Sequence, residues 1–167
     1  MGGSGGGWTF RPEQLDNLER LARQTLREST EPVRRNVFIS FDSDDLALVN
    51  LLRGQAKNDN IPLEFNDFSL KEPFDSERAE YIKRGIRERI RQASVTIVYL
   101  TNNSAKSHWV DWEISESVKL KKAVIAVYQG DQPPRNIPPA LEKLGVKPIP
   151  WKADEIMKAI QKGCENR

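Results

Sequence analysis

The stretch Ser94-Val95-Thr96-Ile97-Val98-Tyr99-Leu100 limits what this chain can fold into more than any other. It is a nearly continuous run of β-branched and apolar residues, so the strand it forms must be covered on both faces. Such a strand sits at the centre of a sheet with a layer of structure on either side. Its flanks supply those layers. Before it, Ala79, Ile82, Ile86 and Ile90 recur at helical spacing from a start near Ser76. After it, Thr101-Asn102-Asn103-Ser104 turns the chain, and Ser107 is placed to cap a helix with Val110, Ile114 and Val118 as one apolar stripe.

The same alternation extends in both directions. Asn36-Val37-Phe38-Ile39-Ser40-Phe41 reads as a short strand, set off from the preceding helix by Glu31-Pro32. Asp42-Ser43-Asp44-Asp45 then passes into Leu46, Leu48, Val49, Leu51 and Leu52, a helix with acidic residues in its first turn. Ile61 to Phe65 is a second strand with Pro62 at its beginning, where a missing donor is tolerated. Ala123 to Tyr128 is a fourth strand, Val146 to Ile149 a short fifth, and Ala153 to Gln161 a closing helix. The predicted fold is therefore α/β: a three-layer sandwich of the flavodoxin-like kind. Its five-stranded, mainly parallel sheet has helices on both faces and a ligand crevice at the carboxyl strand ends.

A chain of 167 residues has enough apolar surface for one proper core. We expect that core in a domain spanning residues 36–163. Ahead of it lie a Gly- and Ser-rich flexible arm, residues 1–11, and an amphipathic accessory helix, residues 12–30. Pro12 suits the first helical turn, and Leu15, Leu18, Ala22 and Leu26 follow at helical spacing.

Charge and cysteine content remove several function classes. Lys plus Arg (26) nearly balances Asp plus Glu (24), so no nucleic-acid partner is expected. The single cysteine, Cys164, allows neither a disulfide framework nor a thiolate metal site, and suits a reducing cytoplasm. No run approaches the ~18 apolar residues of a membrane span, so no membrane partner is expected either.

Chemistry concentrates in Trp109-Val110-Asp111-Trp112-Glu113-Ile114. At about 100° per residue, Trp109, Glu113, Glu116 and Leu120 share a face distinct from the apolar stripe. A large ring one turn from a carboxylate suits a cationic, planar substrate. Packing for the tryptophan and a solvated charge for the glutamate are the competing readings. The acidic run at Asp42 likewise has two: a helix start, or a ligand loop at a strand end. The long loop Asn66 to Phe74 is apolar enough to be a lid or a contact surface. With the first and third strands adjacent, Phe41-Asp42-Ser43, Asp67-Phe68-Ser69 and Trp109/Glu113 would meet at one cleft. Lone His108 comes without a Gly-x-Ser-x-Gly elbow, which argues against a serine hydrolase. A receiver domain needs an aspartate at the end of its third strand, where this chain has Leu100-Thr101-Asn102.

Three segments, in order, carry a resemblance to a known family. Val37-Phe38-Ile39-Ser40-Phe41 is similar to the opening strand of Toll/interleukin-1 receptor (TIR) domains. Phe65-Asn66-Asp67-Phe68-Ser69-Leu70 resembles the end of their second strand and the start of their BB loop, and Trp109-x-x-x-Glu113 resembles their Trp-x-x-x-Glu signature. The likeness is greatest to bacterial TIR-like proteins of the Thoeris anti-phage type. It implies an NAD+-cleaving enzyme in which Glu113 is catalytic and Phe41, Asp42, Ser43, Asp67, Phe68 and Trp109 contact substrate. It implies no metal or cofactor, with NAD+ as the substrate, and a cyclic ADP-ribose-derived signal read by a separate effector protein. Homotypic TIR–TIR assembly is also implied. The alternative within the family is a non-catalytic interaction module. The acidic run Asp42 to Asp45 departs from well-known animal relatives, some of which carry basic residues there.

Overall fold

The computed structural model describes residues 11–30, 35–67 and 73–165. The chain divides into two compact units, Met1–Val33 and Arg34–Arg167. In the first, α1 spans Pro12–Thr30, with Pro12 in the first turn where its missing N–H costs nothing. The backbone N–H of Arg11 donates to the Gln14 side chain at 3.0 Å, one half of a capping box. All four apolar residues of the predicted stripe fall within this helix.

The second unit runs β1 (Arg35–Ser40), α2 (Leu46–Asn58), β2 (Leu63–Asn66), α3 (Ala79–Gln92), β3 (Val95–Leu100), α4 (His108–Lys119), β4 (Ala123–Tyr128), α5 (Pro139–Leu144), β5 (Ile149–Pro150) and α6 (Ala153–Glu165). The five strands form one sheet in the order β2-β1-β3-β4-β5, and every pairing is parallel. All six residues of β3 are buried, as its unbroken apolar run requires.

The period-2 alternation of the strands sorts their residues onto two faces. Val37 and Ile39 of β1, Ile97 and Tyr99 of β3, and Ile125 and Val127 of β4 pack with Val49 and Leu52 of α2 and with Ile156 and Ile160 of α6. On the opposite face, Phe38 packs with Ile82, Ile86 and Ile90 of α3 and with Trp109 of α4. There too, Val98, Leu100 and Ala126 pack with Val110 and Ile114 of α4 and with Leu141 of α5. The register pairs Phe38 with Thr96 and Ser40 with Val98, so these four residues share the α3/α4 face.

Several boundaries differ from the sequence expectation. β2 begins at Leu63, because Ile61 is still closing the end of α2 through its N–H to Ala56 O at 3.0 Å. α3 begins at Ala79, after a turn in which the Ala79 N–H donates to Ser76 O at 3.1 Å. β5 is only Ile149–Pro150, and α6 continues to Glu165. α5 has no counterpart in the sequence reading. Pro139 at its start and left-handed Gly145 at its end (φ 64°) are its signals, and the Asp111 carboxylate on α4 accepts from Ala140 N–H at 2.7 Å. The stripe on α4 is shorter than expected: Val110 and Ile114 are fully buried, whereas Val118 is 43% exposed beyond the packed part of the helix.

Gly163 shows how closely α6 approaches the sheet. A Cβ added there would lie 2.8 Å from the Cβ of Ala123 on β4. Alanine is the better helix former by about 1 kcal/mol. We nevertheless expect Gly163→Ala to lower stability by about 1–3 kcal/mol, because overpacking outweighs propensity. Chemical denaturation is the measurement, and a more stable variant would contradict this packing.

Candidate functional site

The site is built where β1 ends beneath α4. Ser40 is the last residue of β1, and the alternation that buries Phe38 against α3 turns Ser40 toward the same face. α4 begins at a true cap: the Ser107 hydroxyl oxygen accepts from Val110 N–H at 3.3 Å. This fixes the helix so that Glu113 meets the end of β1. The Ser40 hydroxyl donates to Glu113 Oε2, and both residues are fully buried. A carboxylate taken out of water is costly unless hydrogen-bonded, so this contact is a condition for seating the helix.

A second polar contact lies one turn along α4. The Ser117 hydroxyl donates to Glu113 O at 2.7 Å, which uses its one hydrogen. Thr96 Oγ1, 2.8 Å away on β3, must therefore be the donor to Ser117. Ser40 and Thr96 thus tie α4 to two adjacent strands through side chains short enough to leave helix and sheet in close contact. Glu116, on the same helix, is 5% exposed and pairs with Arg87 at 3.1 Å and Lys119 at 3.4 Å. Burial alone would raise its carboxyl, but the hydrogen bonds and charges of Arg87 and Lys119 outweigh burial and hold it below the ordinary glutamate value.

Trp109 is 7% exposed and works as a wedge between α4 and α3. Its ring meets Phe74 at 5.0 Å and Trp112 at 6.1 Å between centroids, both edge-to-face. Lys83 Nζ stands 4.3 Å from the Phe74 ring centroid, and Arg87 lies 5.7 Å from Trp112. The aromatic partner of Glu113 is thus engaged in packing rather than presenting an open stacking face.

The other residues singled out from sequence go to different places. Phe41 is 1% exposed within the α2/α6 core, on the far face of the sheet from Glu113. Asp42 accepts from Asp44 N–H at 3.0 Å, capping the 3-10 turn Ser43–Asp45, and Ser43 is exposed at its start. Asp67 pairs with Arg53 of α2 at 2.6 Å. Phe68 lies outside the described residues. The adjacency of β1 and β3 therefore brings Ser40 and Glu113 together, while Phe41 and Asp67 have partners of their own.

Sequence reasoning missed two residues. Ser40 is a polar side chain within an apolar strand covered on both faces, and such a group needs a partner. Asp45 is 3% exposed and accepts from Thr101 Oγ1 at 2.5 Å and Asn103 Nδ2 at 3.0 Å. It clamps the loop after β1 to the loop after β3. Nothing local distinguishes it from Asp42 or Asp44. Among the described residues no three His, Cys, Asp or Glu side chains are grouped to hold a metal ion. No described helix is long and apolar enough to cross a membrane.

Residues 38–133, which contain Ser40, Asp45 and Glu113, match the family described as Thoeris protein ThsB, TIR-like domain. The chain belongs to that family. No curated protein matches the sequence. Among solved structures, this TIR-like domain is similar to the TIR domains of the activated Roq1 resistosome, at 19% identity and TM-score 0.41, over 59% of each chain. It is also similar to the CMP N-glycosidase BcmB of Clostridium botulinum, at 14% identity and TM-score 0.45, over 77% of this chain and 97% of that one. A third likeness is to the RPS4 and RRS1 TIR domain heterodimer, at 15% identity and TM-score 0.48, over 78% and 98%. The chain spans about three fifths of the Roq1 chain it matches.

Two measurements check the polar contacts of this TIR-like domain. Ser40→Ala removes the donor to a buried carboxylate and should cost about 1–3 kcal/mol in denaturant unfolding. A double-mutant cycle with Glu113→Gln should show the two positions to be coupled. Glu116→Gln should cost about 1 kcal/mol at pH 7, a modest figure because Arg87 is partly solvated. A carboxyl held low in the folded state stabilises above its unfolded value and loses that contribution as pH falls through the folded one. The Glu116→Gln penalty should therefore shrink on acidification below about pH 4. A penalty constant with pH would argue against the ion pairs.

Proposed function

We propose that this TIR-like domain breaks the nicotinamide–ribose bond of NAD+ in the cytoplasm, with Glu113 as the catalytic residue. The observation that carries the reading is a buried carboxylate, held by the Ser40 hydroxyl at the carboxyl end of β1, in a chain of the Thoeris ThsB family. Open α/β sheets bind ligands at these strand ends, next to the point where the strand order reverses. In this sheet that point is the β1/β3 junction.

One carboxylate is enough for this chemistry. The nicotinamide ring of NAD+ is already cationic, so when the C–N bond breaks the electron pair neutralises it and it leaves without a general acid. Ordinary glycosidases need a second carboxyl for that protonation. What remains is the oxocarbenium-like charge on the ribose. A fixed carboxylate in a dry site can stabilise that charge by roughly 3–4 kcal/mol. Ser40 holds the carboxylate in place before substrate arrives. Asp42 and Ser43, at the mouth of the same strand end, remain the substrate-contact candidates, and Trp109 supports α4 from behind.

Water exclusion selects the product. A wet site yields linear ADP-ribose, whereas capture of the ribosyl cation by the adenosine end of the same molecule yields a cyclic isomer. Full burial of Glu113 favours the second outcome, as a cyclic signal for a separate effector protein, made by homotypic TIR assemblies. The same burial also favours a second reading. Glu113 would then be a structural residue that seats α4, and the domain would act as a non-catalytic interaction module.

Following nicotinamide release separates the two readings. Wild type should release nicotinamide from NAD+, and Glu113→Gln, which keeps the side-chain shape, should reduce the rate at least about 100-fold while remaining folded. Unchanged release from a folded Glu113→Gln protein would overturn the catalytic assignment.

A further inference from the structure

A second cleft lies at the carboxyl ends of β3 and β4, on the α2 side of the sheet and apart from the Ser40–Glu113 contact. It is an open groove of about 460 Å³, within the size range of small-molecule sites. Its walls include Tyr99, Asn102, Gln129 and Gln132, and among the described residues no Lys, Arg, Asp or Glu side chain lines it. No charged side chain is therefore there to pair with a phosphate or another ionic group. The three carboxamides make no hydrogen bond to other described residues, so both their donors and their acceptors are available.

Tyr99 marks this as more than a surface depression. It is 2% exposed, yet its hydroxyl has no hydrogen-bond partner among the described residues. The hydroxyl is not one of the fully buried polar atoms that lack a partner, so it reaches solvent and its donor is available to a ligand acceptor. Burial and the neighbouring negative charge of Asp45 both push the phenol up from its ordinary value, so it is a donor throughout the neutral range. The rim is built in advance. Asp45 clamps Thr101 and Asn103, and the Ser104 hydroxyl accepts from Thr101 N–H at 3.0 Å and donates to Thr101 O at 2.9 Å. On the other side, Gly130 at φ 102°, which disfavours a side chain, turns the loop that carries Gln129 and Gln132.

We propose that this groove binds an uncharged planar heterocycle with mixed donors and acceptors on its edge, a nucleobase, through the Tyr99 hydroxyl and the carboxamides of Asn102, Gln129 and Gln132. Carboxamides pair bidentately with base edges, and a fixed hydroxyl donor among them orients the base. The site takes the base and leaves the sugar and any phosphate outside, toward the open end of the groove. It goes beyond the proposed NAD+ cleavage, because no residue is shared with the Ser40–Glu113 contact.

The test is an amide chemical-shift titration of the full chain with adenosine, and with ribose 5-phosphate as the ligand lacking a base. Adenosine should give saturable shifts centred on Thr101, Asn102 and Gly130, and ribose 5-phosphate none there. Tyr99→Phe, which removes only the hydroxyl, should weaken adenosine binding about fivefold or more. Gln132→Ala, at an exposed position with no hydrogen bond to a described residue to lose, should also weaken it. Absence of saturable shifts, shifts centred elsewhere, or equal binding by both variants and wild type would overturn the proposal. The readout involves no NAD+ cleavage, so it stands or falls separately from the assignment of Glu113.

Discussion

A carboxylate at zero solvent exposure has to be satisfied by its neighbours, and in this domain the Ser40 hydroxyl at the end of β1 supplies a hydrogen bond to Glu113. Much of the structure can be traced from that contact. It requires β1 to end where α4 crosses, which the parallel pairing of β1 with β3 provides. It requires α4 to start in a fixed register, which the Ser107 cap provides. It requires the α3/α4 face of the strands to carry short hydroxyl side chains among its apolar ones, as Ser40 and Thr96 do. Apolar residues at these two positions would leave the polar side of α4 with nothing to meet.

The two faces of the sheet are used differently at their carboxyl ends. On the α3/α4 face the Glu113 carboxylate is held dry, with an aromatic wedge of Trp109, Phe74 and Trp112 on the same face. On the α2 side a groove without charged side chains among its described lining residues opens, with Tyr99 and the carboxamide residues Asn102, Gln129 and Gln132 in its walls. Asp45 joins these regions mechanically, because it holds the loop after β1 to the loop after β3. Within the acidic run, Asp42 caps the 3-10 turn, Ser43 opens it, and Asp45 ties it to the neighbouring strand end.

The chemistry proposed for Glu113 and the burial observed for it are two sides of one property. A dry carboxylate strengthens every electrostatic interaction it makes with a developing cation, and its preorganisation means that little rearrangement is needed as charge appears. The same dryness means that in this conformation the carboxylate faces protein. The proposed catalysis would therefore require the site to open for substrate, and closure would restore the water exclusion that favours an internal nucleophile over solvent. The second reading, in which Glu113 seats the helix and does no chemistry, needs no such motion.

Much of the architecture was legible in the chain itself. An unbroken apolar run in β3 demands cover on both faces, and strand–helix alternation with crossovers of helix length demands parallel pairing. These follow from local periodicity, which sequence carries directly. The spacing of Trp109 and Glu113 was equally local, one turn on one helix. What the tertiary structure alone decided was partnership. Ser40 and Glu113 are 73 positions apart, and no periodicity links them. Alternation put Val37, Ile39 and Phe41 on one face, but only the packing of α2 and α6 against it showed that Phe41 is turned away from Glu113. Trp109 as a wedge, Asp67 against Arg53 and Asp45 as a clamp are likewise contacts between elements distant in sequence. Hydrophobic periodicity depends on which residues avoid water, and so it can be read along the chain. Hydrogen bonds and ion pairs depend on which residues meet, and that is settled only once the chain has folded.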